Sequence, residues 1–336
     1  MFFEEIFEEM SKEGIETYRV RQVYDWIAKG VTSFDEMTNL PLAFREKLKL
    51  KYNLLGVRIK EKKVSLDSTV KYLFSLYDDE FIEAVIMKYK HGYSMCISTQ
   101  AGCKMGCAFC ATGKGGFFRN LFPSEMLSQI ETAQKDLDIK ISNVVLMGMG
   151  EPLDNYANVI RFLKLLTSPD RLNIGARHIS LSTCGIVDRI YSLAKEKLQI
   201  TLSVSLHAPN DRIRSKIMRI NNKWGIKELI DSCKYYIEQT NRRISFEYAM
   251  IKGVNDSLEN ANELGKLLQG MLCHVNLIPL NASSSCNWQK SCLSDIYRFK
   301  SALEKYRINT TIRRTLGKDI DGACGQLKYK HTQRGG

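Results

Sequence analysis

Apolar positions change their spacing along the chain, and each change predicts a different kind of element. Between Glu16 and Lys29 they fall at Val20, Val23, Tyr24, Ile27 and Ala28, close to helical period. Asn39-Leu40-Pro41 interrupts this before a second helical stretch through Leu48, so residues 1–54 read as a helical accessory domain. From 55 to 91 the pattern is strand-like. Tyr72, Phe74 and Leu76 point inward from one run, Phe81, Ile82, Ala84, Val85 and Ile86 from the next, around an Asp78-Asp79 turn.

From residue 92 onward, β-rich runs alternate with helical stretches. The runs are Ser94–Ser98, Val144–Met147, Ile179–Ser182, Ile200–Leu206, Ile244–Met250, Val275–Pro279 and Thr310–Arg313. Helices are expected at about 124–136, 155–166, 186–196, 226–239, 257–269 and 294–305. This rhythm predicts an α/β fold: a parallel sheet with helical crossovers, closed or nearly closed into a partial (β/α)6 TIM-like barrel over 92–336. The β-rich segment 55–91 is its extension. Polar and glycine-rich residues follow the runs: the 103–110 cysteines, Gly148 to Pro152, Thr183-Cys184-Gly185, Ser205 to Pro209, Lys252 to Asp256, Leu280-Asn281, and beyond the last run Cys324. One pocket built from many loops at the C-terminal rim is the expectation.

The composition narrows the class. No repeat or low-complexity tract appears in the 336 residues, and the longest apolar runs are too short to span a bilayer. The acidic opening MFFEEIFEEM does not resemble a secretory signal, so a cytoplasmic protein is expected, and no membrane partner. Lys+Arg 49 against Asp+Glu 37 gives +12, which favours a polyanionic partner such as nucleic acid. Lys104, Lys114, Arg119, Arg212, Arg214, Lys216, Arg219, Arg313, Arg314 and Lys318 lie in or near rim segments where they could meet phosphates, though solvated surface charge explains each one singly. Ten cysteines in such a chain ask for a metal, a redox pair or a nucleophile rather than a disulfide scaffold.

Cys103, Cys107 and Cys110 are spaced C-x3-C-x2-C, so one short loop could wrap an iron–sulfur cubane with three thiolates. Three ligands leave one iron open, and S-adenosylmethionine can chelate it, giving the cofactors of a radical enzyme. Zinc is the competing reading, but it wants four ligands, and only Cys107/Cys110 has paired spacing; Cys96 is the nearest fourth thiol. Gly150 and Glu151 at a strand end offer a backbone edge and a carboxylate for the methionyl ammonium. Ser182, Ser205, His207 and Asn281 are placed to bond ribose or carboxylate groups, although each could equally be a strand-end cap. Cys324, between small residues, can approach a ligand closely, or be a bland buried thiol.

Taken in order, Cys96 to Cys110, Met147 to Leu153, Ser205 to Pro209 and Ala323 to Leu327 closely resemble the RlmN/Cfr family of radical S-adenosylmethionine RNA adenosine methyltransferases. Tyr18 to Val23 and Val31 to Met37 resemble the family's N-terminal helical domain, so the likeness spans nearly the whole chain. The resemblance implies two S-adenosylmethionine molecules per turnover. One methylates Cys324, and the other, at the cluster, gives the radical that converts this S-methyl group into a carbon donor for adenine. It implies that Cys96 resolves the protein–RNA adduct through a transient disulfide with Cys324, and that Glu83 accepts a proton. Gly150, Glu151, Ser182, Ser205, Leu206, His207 and Asn281, at or near strand ends, are the residues expected to bind S-adenosylmethionine.

The family divides by target. RlmN-like members methylate carbon 2 of an adenosine in 23S rRNA and in some tRNAs; Cfr-like members methylate carbon 8 and confer antibiotic resistance. Pro152 and the following Leu153-Asp154-Asn155-Tyr156 resemble the RlmN branch. Cys184, Gly322 and Ala282 depart from the usual family pattern without touching a motif cysteine. Expected partners are 23S rRNA, tRNA and a reductant such as flavodoxin, acting on a monomer. Cfr-like chemistry is the alternative, and a non-enzymatic RNA-binding protein with a structural metal the remote one.

Overall fold

A computed structural model describes residues 3–320 apart from 32, 53, 55, 91 and 281–287; Cys324, Asn281 and Cys286 lie outside the described residues. Three helices open the chain: α1 (Phe3–Ser11), α2 (Thr17–Ala28) and α3 (Leu42–Lys51). They gather Ile6, Met10, Val20, Val23, Tyr24, Phe34, Met37, Leu40 and Leu48 into a small core separate from the main one. Three antiparallel strands follow: β1 (Arg58–Val64), β2 (Val70–Ser75) and β3 (Phe81–Tyr89).

The parallel strands are β4 (Gly92–Cys96), β7 (Ile141–Leu146), β8 (Ile179–Thr183), β9 (Thr201–Ser205), β10 (Ile244–Met250), β11 (Cys273–Pro279) and β12 (Asn309–Ile312). Between β4 and β7 a short antiparallel hairpin, β5 (Gln100–Gly102) and β6 (Phe117–Asn120), flanks the one-turn helix α4 (Ala111–Lys114). The crossovers carry α5 (Pro123–Leu137), α6 (Tyr156–Thr167), α7 (Val187–Lys195), α8 (Asp211–Ile217), α9 (Ile226–Thr240), α10 (Leu258–Leu268) and α11 (Leu293–Lys305). Among the described residues all the long strands form one ten-stranded sheet, ordered β1-β2-β3-β4-β7-β8-β9-β10-β11-β12, with β1 and β12 at its edges. No helix among the described residues is long and apolar enough to cross a membrane.

The helices start where local chemistry closes their first turn. The Asn210 side chain accepts from Ile213 N–H (3.0 Å) at α8, and Ser257 from Asn260 N–H (3.2 Å) at α10. Pro123 opens α5, whose Glu125 carboxylate accepts from Phe122 N–H (2.9 Å). Alternation within the strands then fixes the layers. Ile179, Leu181, Leu202, Val204, Phe246, Val275 and Leu277 lie on the helix-covered face and are buried. The other face aligns Ser182 with Ser203, Ser203 with Ser245, Ser205 with Glu247, Glu247 with Asn276 and Asn276 with Thr311. A sheet with an apolar outside and a polar inside can hold a polar ligand.

Some elements depart from the expected pattern. Strand β1 reads RIKEKKV, too charged to betray itself by hydrophobic alternation, and those lysines suit an edge strand that must not pair with another chain. Strand β2 is buried on both faces rather than alternating, because the inward Lys71 is neutralised by Glu83 and Leu73 lies beside them. The hairpin β5–β6 and the short α8 carry no periodicity long enough to read.

Candidate active site

Cys103, Cys107 and Cys110 line one end of a cavity of about 290 Å³ at the C-terminal ends of the parallel strands. Its other walls include Gly150, Glu151, Ser182, Cys184, Ser205, His207, Glu247 and Arg313. Eight of the expected site residues thus meet in one place. Leu206 is fully buried and is not among the cavity walls; its O accepts from Arg214 Nε (3.1 Å) and its N–H donates to Glu247 O (3.1 Å). Cys96 and Glu83 are not among the cavity walls, but register puts them on the same sheet face: Cys96 opposite Val145 and Val85, and Glu83 opposite Leu73, two positions along from Val85.

The cysteine loop is fastened from both sides. Cys103 N–H donates to Gly116 O (2.8 Å) of the hairpin, and Ala108 N–H donates to Ile217 O (2.9 Å) at the end of α8. Burial pushes the thiols of Cys103 and Cys107 up to about 12, the environment of a group that loses its proton only to a metal's charge. Cys96, the fourth thiol that a zinc reading would need, is not among the cavity's lining residues. Among the described residues no group of three or more His, Cys, Asp or Glu converges on a single metal ion. Three thiols from one short loop lining one cavity suit an iron–sulfur cluster instead.

Glu151 faces the thiols as a buried carboxylate whose ionisation burial resists, raising its pKa. Leu153 N–H donates to its Oε1 (3.0 Å) and Cys184 N–H to its Oε2 (2.7 Å). Its own N–H donates to Gln100 Oε1 (2.8 Å), while Gln100 Nε2 donates to Asn120 and Asp154. Gly150, at φ +102°, lies so near Gln100 that an added Cβ would come within 2.6 Å of its Cβ. A buried carboxylate oriented by amides is built to take a cationic ligand group, so the donor set fits both the cluster and the ammonium of S-adenosylmethionine.

His207, also at positive φ (57°), is buried, and its pKa is pushed down to about 3 by desolvation, so the ring is neutral. Its Nδ1 accepts from Ala249 N–H (3.0 Å), which leaves Nε2 carrying the proton, and Phe109 packs edge-on at 4.9 Å. The deeper organiser is Arg214, with no solvent exposure. Its Nε donates to Leu206 O (3.1 Å), Nη2 to Cys184 O (2.7 Å) and Ser205 O (3.2 Å), and Nη1 to Asn221 Oδ1 (3.0 Å). One guanidinium thereby pins the ends of β8 and β9 together.

This corrects the expectation that Arg214 meets phosphates. Arg119 is similarly committed, clamped between Asp78 and Glu125. Gln100 and Glu247 carry no site expectation from the sequence, and Arg214 carries only that of a phosphate contact. Gln100 stands inside the cysteine motif segment, the one signal that pointed at it. Glu83 proves to be half of a buried ion pair, its Oε2 lying 3.0 Å from Lys71 Nζ.

The sequence matches the radical SAM superfamily over residues 97–264 and the ribosomal RNA large subunit methyltransferase N-terminal domain over residues 3–54. It is 53% identical over 324 residues to a probable dual-specificity RNA methyltransferase RlmN of Clostridium novyi, covering 96% of this chain and 94% of that protein. The chain belongs to the RlmN family. The RlmN of Alkaliphilus oremlandii, described in the same words, is 52% identical over 98% of this chain and 96% of its own length. The crystal structure of a radical SAM methyltransferase from Sphaerobacter thermophilus superposes with a TM-score of 0.92 at 40% identity, covering 97% of both chains. Membership makes the chain a radical SAM methyltransferase whose cofactors are a 4Fe-4S cluster and S-adenosylmethionine, and it bears out the α/β radical SAM fold expected above.

Proposed function

We propose that this enzyme methylates carbon 2 of adenosine in both 23S rRNA and tRNA. The observation that carries the reading is the single cavity in which three thiols face a buried carboxylate at the C-terminal ends of the strands. Cys103, Cys107 and Cys110 would hold the cluster. Gly150, Glu151, Ser182, Ser205, Leu206, His207 and Asn281 would hold S-adenosylmethionine. When bound, these cofactors supply the methyl group and one-electron chemistry.

The chain's own residues do the rest. Glu151 receives a ligand ammonium between its two amide-fixed oxygens, and His207 Nε2–H donates into the cavity. Cys324 carries the methyl group, and Cys96 and Glu83, on the inner face, take part in removing the ring proton and freeing the product. Lys71 keeps the Glu83 carboxylate oriented. Residues 1–54 form an RNA-holding helical domain, 55–91 a β extension and 92–336 the catalytic domain. The enzyme works in the cytoplasm as a monomer, reduced by a flavodoxin-like donor.

The test is anaerobic reconstitution, reduction, and mass spectrometry of nucleosides from treated 23S rRNA and tRNA. 2-Methyladenosine in both RNAs is the expected product. 8-Methyladenosine would transfer the chain to the Cfr-like reading, and unmodified RNA from an enzyme that still consumes S-adenosylmethionine would overturn the proposal.

A further inference from the structure

Beside the cavity mouth, the hairpin β5–β6 carries aromatic side chains where solvent-facing polar residues would be expected. Phe117 is 38% exposed and Phe118 52%, and Phe122, just past the hairpin, is 41% exposed. Tyr77, from the turn between β2 and β3, is 59% exposed. Cations that are themselves paired to carboxylates lie over the rings: Lys104 Nζ, 2.8 Å from Asp154 Oδ1, lies 5.4 Å from the Phe117 centroid, and the Arg119 guanidinium, held by Asp78 and Glu125, lies 4.7 Å from Tyr77 and 5.9 Å from Phe122.

This ridge is tied to the elements on both sides of it. Arg119 ties it to Asp78 in the β extension and to the buried Glu125 at the start of α5. Gly102 lies so close that an added Cβ would meet Gly116 O at 2.1 Å, and the same carbonyl accepts from Cys103 N–H. The ridge is thus fixed directly to the first cysteine of the cluster loop. Exposed Gly115 and Gly116, next to Lys114, leave backbone open to close approach at its tip.

Rigid aromatic faces interleaved with cations are the chemistry that grips unstacked nucleobases, while lysines meet the phosphates between them. A lipid or protein partner would want an apolar patch without the cations, or a groove. The base to be modified must also leave its stack to reach a cavity this deep, which strands its neighbours at the rim. We propose that Phe117, Phe118, Phe122 and Tyr77 form a stacking platform for the bases flanking the target nucleotide of a single-stranded RNA loop. The assignment rests on the RNA methyltransferase reading above, and it names where that RNA is held.

The experiment is fluorescence anisotropy of the reconstituted enzyme with labelled tRNA transcript and with a labelled 23S rRNA fragment, each across a salt series. Phe118→Ala and Tyr77→Ala should each weaken RNA binding by about tenfold at every salt concentration, with the salt slope unchanged, because stacking is not ionic. Phe118→Trp should retain wild-type affinity, whereas Lys114→Ala should reduce the salt slope by about one. Consumption of S-adenosylmethionine without RNA should be the same in all of them, which also reports intact folding. Wild-type affinity in both alanine variants would overturn the platform while leaving the methyltransferase reading intact. A wild-type enzyme that binds neither RNA would remove that reading and the platform with it.

Discussion

The two faces of the central sheet are made by the same strands, yet they follow opposite rules. On the outer face Leu181, Leu202, Val204, Phe246 and Val275 are sealed under helices and interchangeable in kind, since any well-packed aliphatic set would serve. On the inner face Ser205, Glu247 and Asn276 stand in one row with Ser182 on the neighbouring strand, and the thiols and Glu151 line the same cavity as Ser182, Ser205 and Glu247. The outer face decides whether the chain folds. The inner face decides what the folded chain can hold, and most of its residues should be replaceable without unfolding the protein.

The sharpest way to break that division is the buried ion pair on the inner face, Lys71 with Glu83. Lys71→Met leaves the Glu83 carboxylate buried without its cation, which should cost about 3–5 kcal/mol. Urea unfolding would read this, and Lys71→Met/Glu83→Gln should recover most of the loss. On the outer face, Leu181→Ala should lower stability by about 2–5 kcal/mol in the same assay while affinity of the surviving folded fraction for S-adenosylmethionine stays unchanged.

Arg214→Lys lies between the two classes. A lysine cannot reproduce a fan of bonds to Leu206, Cys184, Ser205 and Asn221, so about 1–3 kcal/mol of stability should go, together with tighter cofactor binding. Calorimetric titration with S-adenosylmethionine would show the second effect. Ser182→Ala should be the mildest and the most telling: stability within about 0.5 kcal/mol of wild type, as for most substitutions outside the core, with cofactor affinity reduced several-fold. Equal stability losses for Ser182→Ala and Leu181→Ala would erase the distinction between the faces.

The same contrast explains what could be read from the sequence. Cluster ligation and cofactor capture demand particular residue types at fixed spacing, so Cys103, Cys107, Cys110 and Gly150-Glu151 announced themselves. Strand–helix alternation likewise gave the parallel strands and their crossover helices, because burial under helices leaves an apolar rhythm. Arg214 and Gln100 were hidden because their roles exist only after distant loops meet: nothing at 214 signals that carbonyls from 184, 205 and 206 will surround it. Charge alone even misdirected, marking Arg214 and Arg119 as phosphate contacts when both are spent on internal partners. Strand β1 escaped for the opposite reason, an edge that keeps its lysines outward.

The central claim is that the thiol-lined end of the inner face holds a cluster with one iron open to S-adenosylmethionine. Electron paramagnetic resonance of the reconstituted, dithionite-reduced enzyme with and without S-adenosylmethionine tests it most directly, with Cys107→Ala as the control. The account predicts a reduced-cluster signal that changes on adding S-adenosylmethionine and is lost in Cys107→Ala. A signal indifferent to S-adenosylmethionine, or one that survives in Cys107→Ala, would contradict it.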